Sequence, residues 1–146
     1  MKITTQVLSL AAIFLSACVP DPGPPVSITD VKILAPMPGS SAGVAYFKIE
    51  NRSETTITVS RIDSPQYNDV EMHETTIEDG VSRMRPVESI RIEPASSVNF
   101  MPGEKHLMLM RPSASVVPGS PVTLEFHYDF GLLIVNATMQ NRLPSE

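Results

Sequence analysis

This chain has one cysteine, no tryptophan, and only five phenylalanines and three tyrosines in 146 residues. With a single cysteine no intramolecular disulfide can form, and a blue-copper electron-transfer site is excluded because Cys18, near the N-terminus, is the only thiolate source. Positive charge is also scarce. Eleven Lys and Arg stand against sixteen Asp and Glu, for a net charge of -5, and no basic cluster appears, so nucleic acid is not an expected partner. The longest apolar run near the start, Val7 to Leu15, is far below the roughly 20 residues of a permanent membrane helix. His73-Glu74 opens like a zincin motif, but Ile77 stands where the second histidine is needed, so that chemistry is excluded. The chain lacks internal repeats and a long amphipathic helical pattern, which leaves one domain.

What is present begins with a targeting segment. Lys2 and the apolar run to Leu15 lead into Leu15-Ser16-Ala17-Cys18, which resembles the lipobox of bacterial lipoproteins. The expectation is a signal peptide over 1–17 and a lipidated Cys18 that tethers the protein to a membrane. Val19 to Pro25 is a proline-rich tether, so 18–25 forms a linker and 26–146 the folded domain. By resemblance to the sorting rule of Gram-negative lipoproteins, Val19 in place of aspartate favours the outer membrane, facing the periplasm, over the inner membrane.

Fourteen prolines, seven glycines and many Thr, Val and Ile residues favour short strands joined by turns. Strand patterns fall at 26–34, 42–51, 55–64, 69–77, 81–87, 89–94, 97–101, 105–110, 122–130 and 131–140. The spacing predicts an all-β sandwich or barrel of about eight or nine short strands. In 55–64 the alternation groups Ile57, Val59 and the Arg61 position on one face. The last two segments pair about Gly131.

Several motifs dissolve on inspection. Gly39-Ser40-Ser41-Ala42-Gly43 matches a nucleophile elbow by letter, but that motif needs a strand before it and a helix after it. Here a Pro-Met-Pro turn precedes and a strand follows, so Ser41 is a turn residue and no enzyme is expected. Asn51-Arg52-Ser53 and Asn136-Ala137-Thr138 fit the glycosylation pattern, which means little in a bacterial lipoprotein.

The run Lys105-His106-Leu107-Met108-Leu109-Met110 is less easily dismissed. Methionine is not a preferred strand residue; its distinguishing property is a polarizable thioether, which fills gaps and also binds soft metals. Residues i and i+2 of a strand share a face about 7 Å apart, so His106 and Met108 can aim at one point. Asp79-Gly80 favours a two-residue hairpin loop. In that register Glu78 pairs Val81, Thr75 pairs Met84 and His73 pairs Pro86, which makes His73 and Met84 diagonal neighbours on one face at about 7–8 Å. Two imidazoles and two thioethers, with no carboxylate, select for Cu(I) over Zn²⁺, Mg²⁺ or Ca²⁺. The competing reading makes the methionines core filler and the histidines surface residues. Composition and spacing leave the two in balance.

The span 71–110 resembles the PCu(A)C-type periplasmic copper chaperones. Their signature is a His, ten residues, a Met, twenty-one residues, then His-x-Met, and His73, Met84, His106 and Met108 stand at that spacing. Met84-Arg85-Pro86-Val87, Pro102-Gly103 and the strand Ala45 to Asn51 add to the match. The resemblance implies a cupredoxin-like Greek-key β-sandwich that binds one Cu(I) through those four residues. It also implies a monomeric, non-catalytic carrier. Its copper would go to the CuA centre of cytochrome c oxidase subunit II, alongside a Sco-type protein. Met72 is expected on the opposite face; Met110 shares the face of His106 and Met108, either shielding the site or forming part of its apolar rim. The chain departs from the family at Ser82, where many members have Met, and at Arg111-Pro112, where they have Gly-Leu. The His- and Met-rich tail that many members carry, thought to hold Cu(II), has no counterpart in Asn141 to Glu146, so the resemblance does not carry a second copper site over. The alternatives are a non-metal interaction lipoprotein and a copper-buffering protein.

Overall fold

A computed structural model describes residues 24–142. The signal peptide, Cys18 and the first part of the tether lie outside the described residues; Pro24 and Pro25 lead, exposed, into the first strand. There are ten strands rather than eight or nine: β1 (Val26–Leu34), β2 (Gly43–Asn51), β3 (Ile57–Asp63), β4 (Tyr67–Glu78), β5 (Val81–Pro86), β6 (Ile90–Ile92), β7 (Ser96–Phe100), β8 (Lys105–Pro112), β9 (Pro121–Tyr128) and β10 (Gly131–Gln140). No helix among the described residues is long and apolar enough to cross a membrane.

The strands form two layers, a cupredoxin-like arrangement. One layer runs β5-β4-β8-β7-β2-β1, with β8 also pairing β2 directly, and the other β10-β9-β3-β6; they meet where β1 and β10 pair in parallel at Ile33–Met139 and Leu34–Gln140. The apolar members of each alternating pattern fill the space between. Phe47 stacks on Phe100 at 4.4 Å and takes the edge of Phe126 at 5.1 Å, so one aromatic cluster spans both layers. Leu107 and Leu109 are fully buried in the same core. That sends the alternate residues of β8 to the opposite face.

Two local devices set that face. The first is the β4–β5 hairpin. Asp79 and Gly80 both take positive φ, 52° and 77°, the left-handed pair a type I′ turn requires. The register that follows is the expected one, with Glu78 opposite Val81, Thr75 opposite Met84 and His73 opposite Pro86. The second is a step between β7 and β8. Phe47 to Asn51 of β2 pair with β7, but Gly43 to Ala45 pair with β8. Met101-Pro102-Gly103-Glu104 makes the step as a turn: Glu104 N–H donates to the Met101 carbonyl at 3.1 Å, and Gly103 has φ 82°. The step lets β8 also reach β4, and His73 then lies directly across from His106.

One expected parity is corrected. The ladder between β3 and β9 slips between Val59 and Arg61, so Ile62 rather than Arg61 joins Ile57 and Val59 in the core. The slip keeps a guanidinium out of the apolar layer.

Candidate metal centre

His73, Met84, His106 and Met108 all lie on the outer face of the first layer, carried by three adjacent strands. β8 supplies His106 and Met108, β4 supplies His73, and the edge strand β5 supplies Met84. His73 and His106 have ring centroids 5.9 Å apart with their planes tilted by 46°. Met84 reaches over from the hairpin to bring its Sδ within 3.2 Å of His106 Nε2. Met108 is two residues along β8 from His106 on the same face, opposite Glu71 of β4 and Val44 of β2.

The hydrogen bonds of the two imidazoles determine what each presents. Glu104's carbonyl can only accept, so His106 Nδ1–H donates to it at 3.1 Å. Nε2 then carries a lone pair, and it faces a thioether sulfur that has no proton to give. Two lone-pair donors in contact with nothing between them to share is an arrangement that a cation would stabilise. On His73, Nε2–H donates to the Glu71 carboxylate at 2.8 Å, which leaves Nδ1 with a lone pair. That Nδ1 is buried and has no hydrogen-bond partner. Each ring therefore has one nitrogen held by an acceptor two residues upstream and the other free, the tautomer control typical of metal-binding histidines.

The donors are soft. Among the described residues no three His, Cys, Asp or Glu side chains come together as a metal set, so an oxygen-rich or zinc-type site does not form there. Imidazole and thioether converge instead, the donors that favour Cu(I). His106 is 6% exposed and Met84 58%, so the cluster runs from a buried nitrogen to a sulfur in solvent. Met84, His106 and Met108 border one open cavity of about 410 Å³; His73 does not border it. A larger cavity of about 590 Å³ beside Tyr46, Phe100 and Met101 contains none of the four donors.

The remaining candidates fall elsewhere. Met72 is buried in the core, opposite Leu107, as its parity predicts. Met110 shares the outer face but sits opposite Asp69, beyond Met108. Ser41 is exposed in a loop that enters β2 directly, without the helix an elbow needs. His127 lies in the other layer, paired with Asp63 at 3.0 Å. Asn51 is 1% exposed with its amide fully engaged, so its glycosylation pattern has no accessible acceptor. Sequence reasoning missed Glu71, which is no member of the expected ligand set but holds the His73 ring. The signal was its place two residues before His73, on the same face.

Comparisons with known proteins agree with the fold. The copper-bound PCuAC domain of PmoF2 superposes with a TM-score of 0.66 at 18% identity, over 82% of this chain and 95% of that one. Cu(I)-DR1885 from Deinococcus radiodurans gives 0.63 at 22% identity, over 77% and 76%. These likenesses show the fold. Among curated proteins, RP573 of Rickettsia prowazekii is 28% identical over 106 residues, 71% of this chain. The chain spans only 59% of that relative's length. Lxx21020 of Leifsonia xyli subsp. xyli, which bears a lipoprotein description, is 26% identical over 126 residues, covering 85% of this chain and 76% of its own. The family model described as "Putative lipoprotein LpqE-like" matches residues 26–132, and its description agrees with the exported, lipid-anchored chain expected from Leu15 to Cys18. With most of the folded domain inside that match, the chain belongs to the LpqE-like lipoprotein family.

Proposed function

We propose that this protein is a Cu(I) metallochaperone, anchored by lipid at Cys18 on the periplasmic side of a bacterial membrane, preferably the outer one. It would carry one Cu(I) on His73, Met84, His106 and Met108 without catalysing a reaction. The observation that carries this reading is the contact between His106 Nε2 and Met84 Sδ at 3.2 Å, with the ring's other nitrogen already committed to Glu104. The copper-bound and Cu(I)-bound neighbours on the same fold support it.

The arrangement also favours one order of ligand exchange. His73 is held by Glu71 and its side chain is 17% exposed. Met84 is on an edge strand whose six residues are all exposed, attached to the domain through β4 alone. Such single-ladder elements sit at the low end of local stability. Met84 is thus the ligand to leave when a partner's sulfur or imidazole enters, with His73 and His106 retained until last. Removing Glu71's carboxylate frees the His73 ring, and Glu71→Ala is expected to weaken Cu(I) binding by about 10–100-fold. Competition against a Cu(I)-specific chelator measures this.

The proposed acceptor is the CuA centre of cytochrome c oxidase subunit II, working with a Sco-type protein. A deletion strain grown at limiting copper should lose oxidase activity and regain it when copper is added. Oxidase activity that is normal at limiting copper, together with poor growth in excess copper, would assign the protein to copper buffering instead. Absence of Cu(I) binding by the purified protein would leave the interaction-lipoprotein reading.

A further inference from the structure

We propose that Met37 is a further thioether of this centre, one that takes hold of Cu(I) as Met84 releases it; the proposal rests on the Cu(I) reading above. Met37 is 54% exposed, outside the core, and borders the same cavity as Met84, His106 and Met108. Its loop is built rather than loose. Ser40 N–H donates to the Met37 carbonyl at 2.9 Å, Pro38 occupies the second position of that turn, and Gly39 has φ 83° in the third. Proline followed by a positive-φ glycine specifies a type II turn. Ser40 Oγ then accepts from Ala42 N–H at 3.1 Å, and Ala35 N–H donates to Gln140 at 2.9 Å, so both sides of the turn are fixed. A large apolar side chain left more than half in solvent at the mouth of a cavity gains little from packing. A thioether held there can bind a soft cation.

The chain contains a built-in comparison. Met101-Pro102-Gly103-Glu104 repeats the Met-Pro-Gly turn and likewise exposes its methionine, at 44%. Met101, however, borders the neighbouring cavity, which holds none of the donors. Because His73 lies away from the Met37 cavity, exchange runs on the thioether side. The Cu(I)–Sδ bond to Met37 forms and the bond to Met84 breaks. No proton or electron moves, and copper stays Cu(I).

Methyl-¹³C methionine labelling of the full-length protein tests this, with Ag(I) as a redox-stable soft probe. In the unaltered protein Met84 and Met108 methyl signals shift on Ag(I) addition. In Met84→Leu, the Met37 methyl is expected to shift at a single equivalent, while Met101 stays still. Met84→Leu combined with Met37→Leu should then bind Ag(I) more weakly than Met84→Leu by on the order of tenfold, the low end of effects seen for outer partners of metal ligands. A Met37 signal that never moves in Met84→Leu, or a Met101 signal that moves equally, overturns the proposal while leaving the four-ligand centre standing. If neither Met84 nor Met108 responds in the unaltered protein, the Cu(I) reading itself fails and this proposal falls with it.

Discussion

Replacing His106 by alanine is expected to lower Cu(I) affinity by at least about 100-fold, beyond the usual range for residues that only support a ligand. His106 is the donor around which the others are arranged. It faces His73 across the β4–β8 ladder, touches Met84 through Nε2, and shares a strand face with Met108. Losing it removes one nitrogen donor and also the fixed point against which Met84 rests. The substitution sits on the outer face of β8, so the aromatic core and Leu107 and Leu109 stay in place. His127→Ala is the matched control. That histidine is tied to Asp63 in the other layer, and its removal should leave Cu(I) affinity unchanged. Chelator competition on both variants, with circular dichroism to confirm folding, reads out the difference.

The second large effect concerns Asn51, which holds the two layers together at the end of β2. Its Nδ2 lies 2.8 Å from the Thr55 carbonyl, 3.0 Å from that of Ile92 and 3.1 Å from that of Glu93, so one amide reaches the β2–β3 loop and the end of β6. Its Oδ1 accepts from Ser53 N–H at 3.0 Å and from the Ser53 hydroxyl at 2.7 Å. A net value near 1 kcal/mol per hydrogen bond, plus the penalty for polar groups left buried, puts Asn51→Ala at about 3 kcal/mol of destabilisation. Asn51→Asp should be worse, because a carboxylate oxygen would replace the donor facing three carbonyls. Urea denaturation would register both as lower midpoints with little change in slope.

Much of this was legible in the sequence, for reasons that can be named. Alternation and turn residues located the strand segments, most of which bury one face; β5, exposed along its whole length, was legible from the Asp79-Gly80 turn before it. Asp79-Gly80 specified the hairpin register because a type I′ turn admits few other residues, and with it the shared face of His73 and Met84. Leu107, Leu109 and Met72 fell into the core as parity requires. What stayed hidden depends on contacts between strands distant in the chain. That His73 sits directly opposite His106 follows from the β4–β8 pairing, which the turn at Met101 to Glu104 permits and no local pattern states. The slip that swaps Arg61 for Ile62 is likewise invisible, because a bulge adds a residue without changing composition. Glu71 and the Glu104 carbonyl became recognisable as partners of the two rings only once the distances were known. Met37 sits outside every strand pattern, and only the folded loop brings it to the cavity.

The central claim is that these four side chains form one Cu(I) centre, and X-ray absorption of the Cu(I)-loaded protein tests it most directly. The account predicts a first shell of two nitrogen and two sulfur scatterers, with one nitrogen lost in His106→Ala and one sulfur lost in Met108→Ala. A shell without sulfur, or one that neither substitution alters, would contradict it.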